Sequence, residues 1–261
     1  MKTALTIAGS DSGGGAGIQA DLKTFSAFKV FGTSVITAIT AQNTLEVTGI
    51  QQINADIVKA QLDAVLEDIF PDAVKTGMLF NEEIVNTVCG VLERTEKHPP
   101  LVVDPVMISK SGAILLQNNA IEVVKTRLLP LSRLVTPNIP EAKLLSGIEI
   151  RNRDDCKRAA EILLEMGTEA VLIKGGHDSR KIIEDLLFTR NETECFTHER
   201  IYSGNTHGTG CTLSAAITAC LAIGYNLTES CRKAIDYVHS AIKSAPELGR
   251  GHGPLNHFIE T

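Results

Sequence analysis

The chain has 261 residues, a formal net charge of −6 and no tryptophan. Hydrophobic residues make up 43% and aromatics only 4%, so one large core can form and must rest on Leu, Ile, Val and Ala. The acidic balance argues against a nucleic-acid partner, and no apolar run approaches the roughly 20 residues of a membrane span. In chain order, residues 3–8 read as a strand apolar on both faces, as in a buried parallel sheet. Residues 9–17 carry five glycines and read as a loop, and residues 18–28 as a helix. Residues 34–40 are β-branched and apolar, a second core strand. Residues 45–53 alternate loosely, as an edge strand or a hairpin. Asn54 or Asp56 can cap a helix carrying Ile57, Ala60, Ala64, Val65 and Ile69. A short strand at 73–76 ends at Gly77, and a helix covers 81–96. A strand at 101–103 delivers Asp104. A helix near 119–128, a strand at 134–136, helices near 140–146 and 153–166 and a strand at 170–174 follow. Residues 183–203 read as antiparallel strands around Asn191-Glu192. Helices at about 210–223 and 228–245 precede an irregular tail, 249–254.

This alternation predicts right-handed βαβ units and a mostly parallel sheet in an α/β fold, as one domain over 1–261. No Cys-x-x-Cys pair occurs among Cys89, Cys156, Cys195, Cys211, Cys220 and Cys231. Met1-Lys2-Thr3 leads straight into a short strand without the longer apolar stretch of a signal peptide. The expected setting is a reducing cytoplasm with free thiols.

Ligands of such sheets bind at the carboxyl ends of the strands. The polar residues there are Gly9-Ser10-Asp11, Ala41-Gln42-Asn43, Gly77-Met78, Asp104, Thr136-Pro137-Asn138 and Lys174-Gly175-Gly176. The early glycine loop fails the dinucleotide fingerprint. With Gly13 and Gly15 as its first two glycines the third falls on Ile18, and no acidic residue ends the second strand. No P-loop sequence is present.

Thr206-His-Gly-Thr-Gly-Cys-Thr-Leu-Ser-Ala-Ala216 is the most informative segment. A glycine turn entering an apolar helix leaves unpaired N–H groups at the positive end of the helix dipole, a ready anion site. Cys211 stands at that end, where its thiol pKa is expected to fall and its thiolate could accept a proton. The same text also fits a glycine-capped core helix with an inert buried cysteine. Asp104, Asn138, Glu141 and Lys174 suit phosphoryl transfer: oxygen donors for Mg²⁺ and a cation for the moving phosphoryl group. Asn138-x-x-Glu141 also has the spacing of a capping box.

The order of these motifs resembles the hydroxymethylpyrimidine/phosphomethylpyrimidine kinases of the ribokinase-like superfamily. The matching text is Leu5-Thr-Ile-Ala-Gly-Ser-Asp11, Gly14 through Phe25, Lys75-Thr-Gly-Met78, Asp104-Pro-Val-Met107, Thr136-Pro-Asn138 with Glu141, Lys174-Gly-Gly-His177 and Asn205 through Thr212. Gly251-His-Gly-Pro254 resembles the closing signature. The resemblance implies a three-layer α/β/α sandwich and ATP-dependent phosphorylation of 4-amino-5-hydroxymethyl-2-methylpyrimidine, first to the monophosphate and then to the diphosphate, in thiamine biosynthesis. It places Gly9, Gln42, Val106 and Cys211 around the pyrimidine, with Asp21 and Met78 nearby. A carboxamide at Gln42 complements an amino group beside a ring nitrogen, as it does against adenine. Gly208, Thr209 and Gly210 are expected to meet the transferring phosphoryl group. Asp104, Asn138 and Glu141 organise Mg²⁺, with Asp104 and Glu141 as its carboxylates, and Lys174 contacts ATP phosphates. If Cys211 is the base, Cys211→Ala slows the first phosphorylation more than the second, whose acceptor is already ionised. His207 sits in the anion loop, where a hydrogen bond that orients the loop is its expected role. The resemblance also suggests a homodimer. A vitamin B6 kinase on the same scaffold and a non-catalytic pyrimidine or nucleotide sensor are the rival readings.

Overall fold

The computed structural model describes residues 1–107, 112, 115–176 and 180–259. Its spine is one sheet of nine strands in the order β3-β2-β1-β4-β5-β6-β7-β8-β9. The strands are β1 (Thr3–Asp11), β2 (Phe31–Gln42), β3 (Val47–Gln52), β4 (Ala73–Thr76), β5 (Leu101–Val103), β6 (Leu134–Val135), β7 (Ala170–Ile173), β8 (Ile182–Thr189) and β9 (Thr193–Glu199). β2, β1, β4, β5, β6 and β7 pair in parallel, and β3, β8 and β9 add antiparallel edges. Residues 9–11, expected in a loop, extend β1 instead, and the β1–β2 register shifts between Ala8 and Ser10.

Successive strand residues serve opposite cores, as a period of two requires. Leu5, Ile7, Val74 and Val103 face α2 (Ala55–Asp68), α3 (Glu82–Leu92), α4 (Asn118–Val123), α5 (Ile139–Ser146) and α6 (Arg153–Glu165). Ala4, Ala73, Val102 and Leu134 face α1 (Gly17–Ala27), α7 (Thr209–Ile223) and α8 (Leu227–Lys243). The result is the expected three-layer sandwich. The helix expected near 119–128 is split: a widened π-type turn, Val124–Leu128, continues α4.

Asparagine side chains start five helices: Asn54, Asn81, Asn138, Asn152 and Asn226 each accept a hydrogen bond from a first-turn backbone N–H. α7 is different. It begins on Gly208 in the left-handed conformation, with no side-chain cap.

After α8 the chain returns along the sheet's α7 side. Leu255 is buried there, and His257 Nε2 lies 3.0 Å from Thr212 Oγ1 in the first turn of α7. Burial pushes the His257 imidazole down to about 4, and the charge of Lys23 adds to the effect. A buried neutral imidazole contributes stability that is complete above its ordinary value of 6.5 and is lost as pH falls toward about 4, because the unfolded chain binds the proton first. Urea denaturation between these limits should show wild type losing stability more steeply than His257→Asn. Parallel curves would show that His257 does not titrate on unfolding.

Candidate active site

β1 connects to β2 on one side through α1, whereas β4 and the strands after it lie on the other side. The sheet therefore opens at the carboxyl ends of β1 and β4, where doubly wound folds hold ligands. A cavity of about 190 Å³ occupies this point. Gly9, Gln42, Met78, Val106 and Cys211 all line it, with Gly208, Thr209 and Gly210 on its far wall. A second cleft of about 830 Å³ opens beside it, between the β8–β9 hairpin and the helices α7 and α8. The two spaces share Asn138, Lys174, Thr209 and Gly210.

The wall between them is the first turn of α7. Gly208 has φ +81°, and a Cβ there would sit 1.8 Å from the carbonyl oxygen of Gly15. A Cβ on Gly15 would in turn lie 2.5 Å from His207 Cδ2. Two glycine loops thus pack backbone to backbone, which no other residue permits. Thr212 N–H closes the first helical bond to Gly208 O, at 2.8 Å. The N–H groups of Gly210 and Cys211 precede that bond and belong to the open end of the helix, while Thr209 N–H reaches back to Thr206 O at 3.4 Å. Gly210 faces the charged residues: a Cβ placed there would come into ordinary contact with Lys174 Nζ at 3.4 Å and Asp104 Oδ2 at 3.7 Å.

Lysines and carboxylates alternate behind this turn. Lys174 Nζ donates to Asp104 Oδ1 at 3.0 Å and lies 4.0 Å from Glu141 Oε2. Thr136 and Ser214 hydroxyls donate to the two oxygens of Asp104, each at 3.3 Å. Burial opposes the charge on Asp104, but Lys174 and Lys75 outweigh it and hold the carboxyl below its usual range. Asn138 and Glu141 form the capping box that opens α5. The Asn138 Oδ1 accepts from Glu141 N, so its NH₂ group faces away from the helix. Burial pushes the Glu141 carboxyl up to about 7; Lys174 pulls against that shift and Asp104 adds to it.

Sequence reasoning places Lys75 in the matching text but gives it no role. Lys75, fully buried at the end of β4, lines the small cavity and donates to Asp21 Oδ2 at 2.9 Å. Burial opposes its charge, yet Asp21 and Asp104 hold it protonated, with its pKa raised. Asp21, expected against the pyrimidine, does not line the cavity. Its Oδ2 is taken by Lys75 and by Thr6 at 2.6 Å, and its Oδ1 is buried without a hydrogen-bond partner among the described residues. Asp21 therefore reaches the site through Lys75. A lysine within a short, fully buried strand was the available signal. Two further residues complete the wall: Asp11, expected only as one of the polar strand ends, and His207, expected to orient the loop through a hydrogen bond and found making one to Asp11. Asp11 accepts from Gly13, Gly15 and Ala16 N–H groups and shapes the first glycine loop. His207 Nε2 lies 2.8 Å from Asp11 Oδ2 and 3.2 Å from Gln42 Nε2. A carboxylate only accepts, so Nε2 carries the proton and donates to Asp11. The Gln42 amide nitrogen then keeps its protons for another partner.

Cys211 corrects an expectation. Burial pushes its thiol up to about 12; Lys75 opposes this, and Asp21 and Asp104 add to it. The helix terminus does not offset lost hydration, so the group stays a thiol at neutral pH. Residue 177, matched as part of Lys174-Gly-Gly-His177, lies outside the described residues.

Comparison with known proteins agrees with this geometry. The phosphomethylpyrimidine kinase family model matches residues 11–256. The chain belongs to that family. It is 48% identical over 256 residues to the hydroxymethylpyrimidine/phosphomethylpyrimidine kinase of Bacillus subtilis, covering 98% of this chain and 94% of that one. The crystal structure of phosphomethylpyrimidine kinase from Clostridium difficile superposes with a TM-score of 0.83 at 48% identity, covering 93% of this chain and all of that one. Pyridoxal kinase from Staphylococcus aureus, solved in complex with pyridoxal, gives 0.91 at 37% identity, over 100% and 96% of the chains. The same kinase has been solved in complex with ADP and with AMP-PCP. The family is thus one of phosphotransferases on a ribokinase-like fold. No described helix is long and apolar enough to cross a membrane.

Replacing Asp21 by Asn should leave the buried Lys75 charge short of its partner and destabilise the fold by about 3–5 kcal/mol in chemical denaturation. A loss below about 1 kcal/mol, the range of exposed pairs, would show that the pair is not sealed.

Proposed function

We propose that this chain transfers a phosphoryl group from ATP to the 5-hydroxymethyl group of 4-amino-5-hydroxymethyl-2-methylpyrimidine and then to the phosphate so formed. That activity would supply the pyrimidine half of thiamine. One observation carries the reading: a small cavity and a large cleft meet over the uncapped end of α7. The small cavity suits a single ring, edged by Gln42 and floored by Gly9, Met78 and Val106. The cleft suits a nucleotide whose phosphates point at Lys174 and Asn138.

In this reading the N–H groups of Gly210 and Cys211 hold the travelling phosphoryl oxygens, where the helix dipole favours negative charge. Lys174 leaves Asp104 to follow the phosphates. The Asn138 NH₂ group donates to the nucleotide. Asp104 and Glu141 offer carboxylate oxygens, which fit a hard cation. Their oxygens also serve Lys174, Ser214, Thr136 and backbone N–H groups, and no cluster of three metal-ligating side chains occurs among the described residues. The set therefore fits Mg²⁺ held through water and the nucleotide's own phosphates, not a cage of side chains. Bound Mg²⁺ would neutralise charge on the β- and γ-phosphates. The resemblance's homodimer belongs to this reading as well and is checked by sedimentation.

A vitamin B6 kinase is the second reading, favoured by the full-length superposition on the pyridoxal kinase from Staphylococcus aureus. Sequence identity favours the pyrimidine, 48% against 37%. Incubation with ATP and hydroxymethylpyrimidine should give monophosphate followed by diphosphate, read by chromatography. Pyridoxal turned over with equal or higher kcat/KM would reverse the assignment.

The state of Cys211 revises the expected effect of its replacement. A neutral thiol packed beside the acceptor is not a base, and phosphoryl transfer depends mainly on positioning and charge. Cys211→Ala should slow both steps by a similar factor, about tenfold or less. A loss confined to the first step would restore the base role.

A further inference from the structure

The irregular tail joins the two halves of the site. Thr44 lies in the turn after β2, two residues beyond Gln42. Its Oγ1 accepts from the N–H groups of Arg250 and Gly251, each at 3.2 Å, and its carbonyl oxygen accepts from His252 N–H at 2.8 Å. Five residues further along the sequence from Thr44's first partner on the tail, Leu255 is already buried in the α7 core. Between them, Gly253 O accepts from His207 N–H at 3.0 Å, and Pro254 forms a strand-like bridge with His207. His257 then meets Thr212 in α7. The same short stretch thus touches the turn that carries Gln42, the residue before Gly208, and the first turn of α7.

The fit leaves no room for side chains. A Cβ on Gly251 would stand 2.1 Å from the carbonyl oxygen of Thr44, and one on Gly249, at φ +82°, 2.3 Å from Thr44 Oγ1. A Cβ on Gly253 would stand 2.1 Å from Asn205 Oδ1. The Thr44 carbonyl is backbone and moves only with the turn. Across the joint, the side chains of Gln42 and His207 face each other at 3.2 Å.

We infer that residues 249–257 form a strap that fixes the distance between the acceptor-reading amide of Gln42 and the phosphoryl-holding amides of α7, with Gly251, Gly253 and Thr44 as positioning residues. The two halves belong to elements far apart in sequence, and the β2–β3 turn lies at the sheet's edge. Reactivity in phosphoryl transfer depends on the separation of acceptor and donor, and a misplacement of about 1 Å can cost about a hundredfold. The strap supplies that spacing without touching either substrate.

The inference rests on the pyrimidine-kinase reading, and kinetics test both. Gly251→Ala should raise KM for hydroxymethylpyrimidine about tenfold or more and lower kcat, while KM for ATP stays within about twofold. Thr44→Ala, which spares the backbone, should move the same parameters less, and Thr44→Ser should restore them. A purely structural role would instead reduce the folded fraction, lowering kcat and Tm with both KM values unchanged. That outcome, or equal shifts in the two KM values, overturns the strap. Wild-type protein inert toward the pyrimidine would sink the functional reading alone. Amide hydrogen exchange then decides the strap: Gly251→Ala should speed exchange at 42–46 and at 207–211 together, and a change confined to 42–46 refutes it.

Discussion

Backbone amides hold an anion only when nothing in the protein takes them first. Five helices of this chain spend those amides on asparagine caps, whereas α7 starts on Gly208 with no side-chain cap and leaves the amides of Gly210 and Cys211 open. Keeping them open requires a left-handed residue pressed against another loop, and the contact between Gly208 and the Gly15 carbonyl meets that need. The rest of the site is arranged around this helix end. Asp11 shapes the loop that carries Gly15, His207 ties that loop to the entrance of α7 through Asp11, and Lys174 and Asp104 lie against Gly210 in the first turn.

Charge is the second constraint. Asp104, Lys75 and Asp21 are buried and Lys174 is mostly so, and an isolated charge at such depth would be driven to neutrality. Alternation lets each ion answer its neighbour. Lys75 holds Asp21 and also faces Asp104, whose other cationic partner is Lys174. In the proposed reaction, a nucleotide entering the cleft would draw on Lys174 while Lys75 remains to balance Asp104. Cys211 lies in the same group and gains little from it. Its burial raises the cost of a thiolate beyond what one lysine and a helix terminus return.

Positions at strand ends were legible in the sequence because apolar strands stop where the sheet stops. Gly9, Gln42, Met78, Asp104, Asn138 and Lys174 stand at or just beyond strand ends, Val106 comes only from the family resemblance, and the fold gathers all of them at the sheet's opening. Asn138 and Glu141 proved to be both a capping box and part of the site wall. The spacing announces the cap, and only the neighbouring strand β7 brings Lys174 to it. Lys75 and Asp21 were harder to read. They are 54 residues apart, and a partner at that distance leaves no local trace.

The order of strands and helices, the glycine turn before α7 and the polar strand ends follow from local rules: residue periodicity, backbone freedom and the hydrogen-bonding habits of asparagine. The sequence alone determined those features, and through them the family. The tertiary structure decided the ionisation of Cys211, the pairing of Lys75 with Asp21 and the grip of the tail on Thr44 and His207. Each of these depends on how much water is removed and on which distant backbone arrives in its place, and burial and long-range contact have no period along the chain.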